Sequence, residues 1–108
     1  MGEIFVQRDE KNRIFGLVGR EMEEGSPATT GALQSLRVAS TSMTEYLHLS
    51  PEFKVGKEEI SLIVDRSAPH LNREIATVME TLVVGLKMLA EEYPDDLVVH
   101  EAPAMIRV

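Results

Sequence analysis

The chain is 108 residues long with a mass of 12.0 kDa, which sets the expectation of one domain spanning 1–108. Hydrophobic residues make up 44% of it, enough for a core, but with no Trp and 5% aromatics that core must be mostly aliphatic. A net charge of −7 argues against direct nucleic-acid binding, which rests on neutralising phosphates, and zero cysteines exclude disulfides, Cys-based zinc sites and a thiol nucleophile.

Residues 3–8, EIFVQR, read as a first strand, and Asp9-Glu10-Lys11-Asn12 as a hairpin connection. A second strand, Arg13 to Val18, ends at Gly19. The stretch REMEEGSPATTG (Arg20 to Gly31) has the chemistry of a long loop, a length that usually carries function. A first helix is expected from Ala32 to about Leu49, capped by Thr30 and stopped by Ser50-Pro51. Phe53 to Val55 and Glu59 to Val64 read as two strands joined through Gly56-Lys57. The strongest signal runs from Leu71 to Tyr93, where Ile75, Val78, Met79, Leu82, Val83, Leu86, Leu89 and Ala90 repeat at helical spacing. Ser67 is the expected cap, Pro94 the stop, and at about 1.5 Å per residue the helix is roughly 33 Å long. Leu97 to His100 could add a last strand, with a loosely attached tail at 102–108. The order is β-β-α-β-β-α(-β), which predicts an α+β domain of one sheet with both helices packed on a single face. No apolar run approaches the ~20 residues of a membrane span, and MGEIFVQRDE lacks signal-peptide features, so the expectation is a cytoplasmic protein with no membrane contact.

His48, His70 and His100 are the only imidazoles, and no HxxxH or HxxE pair appears, so neither a metal nor another cofactor is expected. Asp95-Asp96 with His100 suggests no assembled site either. Gly16, Gly19, Gly25 and Gly31 do not form a phosphate loop, and Met43, Met79 and Met88 read as core or interface filler. Glu21, Glu23 and Glu24 read as a solvated turn or as a receptor for a basic peptide. Ser35, Ser40 and Ser42 lack a recognisable base, and Arg20 cannot serve as one because it stays protonated.

The run ETLVVGLKMLAEEYPDDLVV (Glu80 to Val99), after the strand ISLIV (Ile60 to Val64), resembles the C-terminal half of the Prp family of bacterial ribosomal-processing cysteine proteases. The hairpin RDEKNRIFG (Arg8 to Gly16) resembles it too. The resemblance implies a small α+β fold, homodimers, and trimming of an N-terminal extension from a large-subunit ribosomal protein. Family proteases carry a Gly-His pair closing the second strand and a Cys-Ala-Ala-Val-Ser run opening the first helix. This chain reads Gly19-Arg20 at the first. At the second it reads Arg37-Val38-Ala39-Ser40-Thr41 when Met43-Thr44-Glu45 is the anchor, and in the other register the Cys position falls on Leu36. The resemblance therefore carries the fold and denies the catalytic pair.

The leading expectation is a catalytically inactive relative acting as a binding or structural protein. The alternatives are a hydrolase with a serine nucleophile and a purely structural homodimer. The vacated cleft is expected to be lined by Gly19, Arg20, Glu21, Glu23, Glu24, Arg37 and Ser40, with the two arginines filling it and paired to the glutamates or to an anion. Expected partners are a second copy, through the wide stripe Val83, Val84, Leu86, Met88, and a basic ribosomal protein or its N-terminal peptide.

Overall fold

The computed structural model describes residues 1–101; the expected loose tail at 102–108 lies outside the described residues. The elements are β1 (Gly2–Arg8), β2 (Ile14–Arg20), α1 (Pro27–Tyr46), β3 (Glu52–Val55), β4 (Ile60–Ile63), a 3-10 turn (Pro69–Leu71), α2 (Asn72–Glu92) and β5 (Leu97–Glu101). The predicted order holds, last strand included. The five strands form one mixed sheet in the order β3-β4-β2-β1-β5, antiparallel throughout except that β5 runs parallel to β1.

The β1–β2 hairpin is closed by Asp9, whose carboxylate accepts the backbone N–H groups of Lys11 and Arg13 and the Arg13 Nε at 2.8 Å. Asn12 takes the left-handed φ of 64° that such a short reversal needs. Side chains then alternate. Ile4 and Val6 of β1 are buried, and they sit opposite Gly19 and Leu17 of β2, which in turn sit opposite Ile60 and Leu62 of β4. Period-two alternation places this set on one face and Glu3, Phe5, Val18 and Arg20 on the other.

Both helices pack together on the buried face. α2 contributes Ile75, Met79, Leu82, Val83 and Leu86, and α1 contributes Ala28, Ala32, Leu36, Ala39 and Met43. The helices meet where Gly31 faces Leu89: a Cβ on Gly31 would stand 3.0 Å from the Leu89 Cδ1, so that Leu89 would have to give way by a few tenths of an ångström.

Two boundaries differ from the sequence reading. α1 begins at Pro27, five residues before the expected Ala32, because Ser26 rather than Thr30 is the cap: its Oγ accepts the Thr29 N–H at 3.1 Å, and Pro27 occupies the first turn, where a missing N–H costs nothing. The expected long loop therefore shrinks to residues 21–26. α1 also ends earlier, at Tyr46, where the N–H groups of Leu47 and Leu49 both donate to the Met43 carbonyl. The expected Ser67 cap on α2 is absent. Ser67 donates its N–H to Asp65, and the residue at the cap position is Leu71, with no side-chain bond. The first turn is instead fastened by Arg66, which is only 7% exposed and donates to the carbonyl of Ile14 and to both the carbonyl and side chain of Asn72. Burial, and then the neighbouring Arg13 charge, lower its pKa without neutralising it.

A chain of alternating charges closes the opposite flank. Arg8 bridges Glu80 at 2.8 Å and Glu101, and Lys87 reaches Glu101 at 2.6 Å, joining β1, α2 and β5. Among the described residues no helix is long and apolar enough to cross a membrane.

Replacing Arg66→Ala leaves two carbonyls of β2 and α2 without their donor, and unfolding in urea should show a loss of about 2–3 kcal/mol. The Glu101 carboxyl is held below the ordinary range by hydrogen bonds from Arg8 and then Lys87. A depressed folded pKa stabilises above the unfolded value, about 4.3, and that stabilisation is lost as pH falls through the folded one. Glu101→Gln should thus cost about 1 kcal/mol at pH 7 and almost nothing at the acid end of a pH series of melts.

Candidate functional site

The site forms where β2 hands over to α1. Gly19 faces the core, and Arg20 faces the other way, opposite Glu3, with its guanidinium 5.8 Å from the centre of the Phe5 ring. Glu21 then adopts a left-handed φ of 55°, an uncommon geometry for a residue with a Cβ, and this reversal turns Met22 inward. Met22 is 2% exposed. Its Sδ lies over two glycines: a Cβ on Gly2 would come within 2.9 Å of it and one on Gly19 within 3.3 Å. The Met22 N–H donates to the Glu58 carbonyl at 3.0 Å, and Gly56 N–H closes the β3–β4 turn onto Glu59 at 2.7 Å. The segment that follows, with Gly25 at φ 87°, leads to the Ser26 cap.

These pieces enclose a depression of about 210 Å³ between the start of α1 and the β3–β4 turn. Met22, Leu33 and Ile60 supply an apolar floor, and Glu24, Thr29, Lys57, Glu58 and Glu59 its rim. Lys57 and the glutamates are exposed, so the rim presents three carboxylates and one ammonium to solvent. The depression can bind and orient; its lining contains no imidazole and no thiol.

The sequence-derived candidates do not converge here. Arg20 lies on the outer face of the sheet, because strand alternation sends it away from the helices once Gly19 points in. Arg37 is exposed in the third turn of α1, about 15 Å along the axis from Pro27. The two arginines are not brought together. Neither pairs with Glu21, Glu23 or Glu24 within the described residues, where the ion pairs are those of Arg8, Arg13, Lys87 and His100. Both arginines are exposed, and the side chain buried between the end of β2 and the start of α1 is the Met22 thioether. The residues that open α1 are Pro27, Ala28, Thr29 and Thr30, not Arg37, while the alternative Leu36 is buried in the core.

The hydroxyls of Ser26, Thr29 and Ser35 are spent on local bonds. Ser26 and Thr29 share one at 3.1 Å, and Ser35 donates to the Gly31 carbonyl at 2.9 Å. Ser40 is half-buried on α1 and its carbonyl accepts from Thr44, while Ser42 lies in the groove between the helices. His48 and His70 are exposed on separate elements. His100 stacks on Phe5 at 4.8 Å and meets the Glu3 carboxylate at 2.8 Å, on the outer sheet face. Asp95 and Asp96 are exposed in the turn before β5, and the described residues contain no group of three His, Asp or Glu placed to hold a metal. Sequence reasoning missed Met22, Thr29 and the turn at 57–59. A lone Met within REMEE was a legible signal, since an apolar side chain among four charges is seldom there for solvent.

No family model matches the chain, and no curated protein matches it in sequence. Among solved structures it matches the essential ribosomal processing protease Prp of Staphylococcus aureus in complex with a substrate peptide. The TM-score is 0.78 at 13% identity, over 94% of this chain and 100% of that one. The same protease with a covalently linked product peptide matches at 0.79 and 12% identity, over 94% and 100%. SMU.848 from Streptococcus mutans matches at 0.79 and 9% identity, over 94% and 93%. The chain thus has the fold of these proteins, and it has no cysteine.

Installing Arg20→His with Arg37→Cys should give a folded protein without thiol-dependent cleavage of peptide substrates, because the two positions lie on opposite sides of the sheet layer. Peptide hydrolysis by the double variant, lost on thiol alkylation, would contradict this placement.

Proposed function

We propose that the chain is a non-cleaving counterpart of the ribosomal processing protease, which holds a basic peptide segment in the depression between α1 and the β3–β4 turn. The observation that carries this reading is Met22. The shared fold has a helix opening beside the end of β2, and in this chain a buried thioether stands there, beside a helix start whose hydroxyls are those of Ser26, Thr29 and Thr30. A nucleophile needs a positioned base within hydrogen-bond reach. Ser26 and Thr29 are bonded to each other, and Ser35 to its own helix, which favours binding over a serine hydrolase. Glu24, Glu58 and Glu59 on the rim, with Glu21 and Glu23 close by in sequence, favour a partner rich in Lys or Arg, such as the N-terminal segment of a basic ribosomal protein in the cytoplasm.

The test uses a synthetic peptide of that segment, taken from the large-subunit ribosomal protein of the source genome. Binding should shift the amide resonances of Met22, Thr29 and Glu58, weaken as salt rises, and fall about tenfold in Glu24→Lys/Glu58→Lys. Mass spectrometry should recover the peptide intact. Cleavage that disappears in Ser35→Ala or Ser40→Ala would replace this reading with the hydrolase.

A further inference from the structure

The depression lies at a free edge of the sheet. β3 is the outermost strand on that side, and among the described residues it pairs with β4 alone. Its last residue, Val55, lines the depression and is 53% exposed, although it sits opposite the buried Ile60. The other outermost strand, β5, contributes nothing to the lining.

The direction of the β3 backbone follows from one bond. Gly56 donates its N–H to the Glu59 carbonyl at 2.7 Å, so residues 56 and 59 form a hydrogen-bonded pair. Bonded and unbonded pairs alternate along an antiparallel ladder. Glu52 and Lys54 are therefore bonded to Ile63 and Ser61, while Phe53 and Val55 turn their N–H and C=O groups away from β4, to the open edge. Side chains alternate as well. Phe53 and Val55 share the helix face with Leu62 and Ile60, and Glu52 and Lys54 stand exposed on the outer face.

We infer that the bound segment is an added strand, which pairs with β3 through the backbone of Phe53 and Val55 and is selected by alternate side chains. The inference rests on the peptide-binding reading for its partner, and it names the class of segment. Guest residues opposite Phe53 and Val55 face the helix side, where Leu33 lines the depression, and they are apolar. The guest residue opposite Glu52 is Lys or Arg, and the one opposite Lys54 is Asp or Glu. A further Lys or Arg stands opposite Gly56, whose missing side chain leaves it a path across to Glu59. The class is thus basic, apolar, acidic, apolar, basic, with a net positive charge that suits the acidic rim. Short edges and edge charges keep stray strands away. Four residues carrying Glu52 and Lys54 repel an unmatched segment, and the same two charges admit a complementary one.

The probe is a blocked pentapeptide, Arg-Val-Glu-Val-Arg, whose side-chain order is the same for a guest running either way. With the probe at ten times its dissociation constant, exchange of the Phe53 and Val55 amide hydrogens should slow about tenfold, because about a tenth of the sites are then empty. The charge-reversed Glu-Val-Lys-Val-Glu should bind at least tenfold more weakly. Val55→Pro removes an N–H that faces the open edge, a place where strands tolerate proline. That variant should stay folded by circular dichroism and lose at least tenfold in probe affinity. No binding of the probe at about 10 mM, unchanged exchange at Phe53 and Val55 under saturation, or equal affinity for the two peptides overturns the inference. The ribosomal segment tells the two readings apart. If it shifts Met22 and Glu58 without slowing exchange at Phe53 and Val55, the depression binds it and the added strand is wrong. If it fails to bind while the probe slows exchange at both residues, the added strand stands and the ribosomal partner is wrong.

Discussion

The fold depends on one buried cation, Arg66, that has no carboxylate in contact with it among the described residues. Arg66 leaves the end of β4, and its guanidinium gathers the Ile14 carbonyl at the start of β2 and the carbonyl and side chain of Asn72 at the start of α2. Its planar fork is suited to hold several acceptors at fixed angles, and backbone carbonyls cannot titrate away. The grip sets the direction in which α2 leaves the sheet. From that direction follow the placement of α2 beside β2 and β5, and the line of Leu89 along which α1 packs through Gly31. The start of α1, and with it one wall of the depression, is placed by this chain of contacts rather than by the loop that precedes it.

The depression itself is shaped by what glycine leaves out. Gly2 and Gly19 present bare backbone on neighbouring strands, and the Met22 sulfur settles over both. A thioether suits this, being unbranched and polarisable, and it adapts to a hollow that a β-branched residue would overfill. The left-handed turn at Glu21 is the strain that accompanies it, opposed by the Met22–Glu58 backbone bond and the burial of the side chain.

Most of the architecture was legible because its signals are local. The stripe from Ile75 to Leu86 and the stop at Pro94 define α2 without reference to any other element. Alternation in β1 and β2 defines the sheet face, and followed one residue further it also sends Arg20 outward. What escaped was fixed by distant partners. Gly25, two threonines and Gly31 read as loop, but Gly31 is helical, and its missing side chain leaves room for Leu89, 58 positions later. Ser26-Pro27 is a cap and first-turn pair that looks the same as a turn when the following helix is undervalued. The wall formed by residues 57–59 is joined to Met22 by a backbone bond, and no side-chain pattern announces such a bond.

The parallel pairing of β5 with β1 has a consequence for how the molecule comes into being. Gly2 finds its neighbour in Leu97 and Val6 in Glu101, so β1 waits for β5. Until residues 97–101 arrive, β1, which carries the core residues Ile4 and Val6, has an open hydrogen-bonding edge. Pairings of such long sequence separation form late and slowly, and an open edge is a template for any other extended chain nearby. Synthesis therefore passes through an interval in which hairpin and helices are present and the sheet is one strand short. In that interval the chain is most exposed to strand exchange with its own kind.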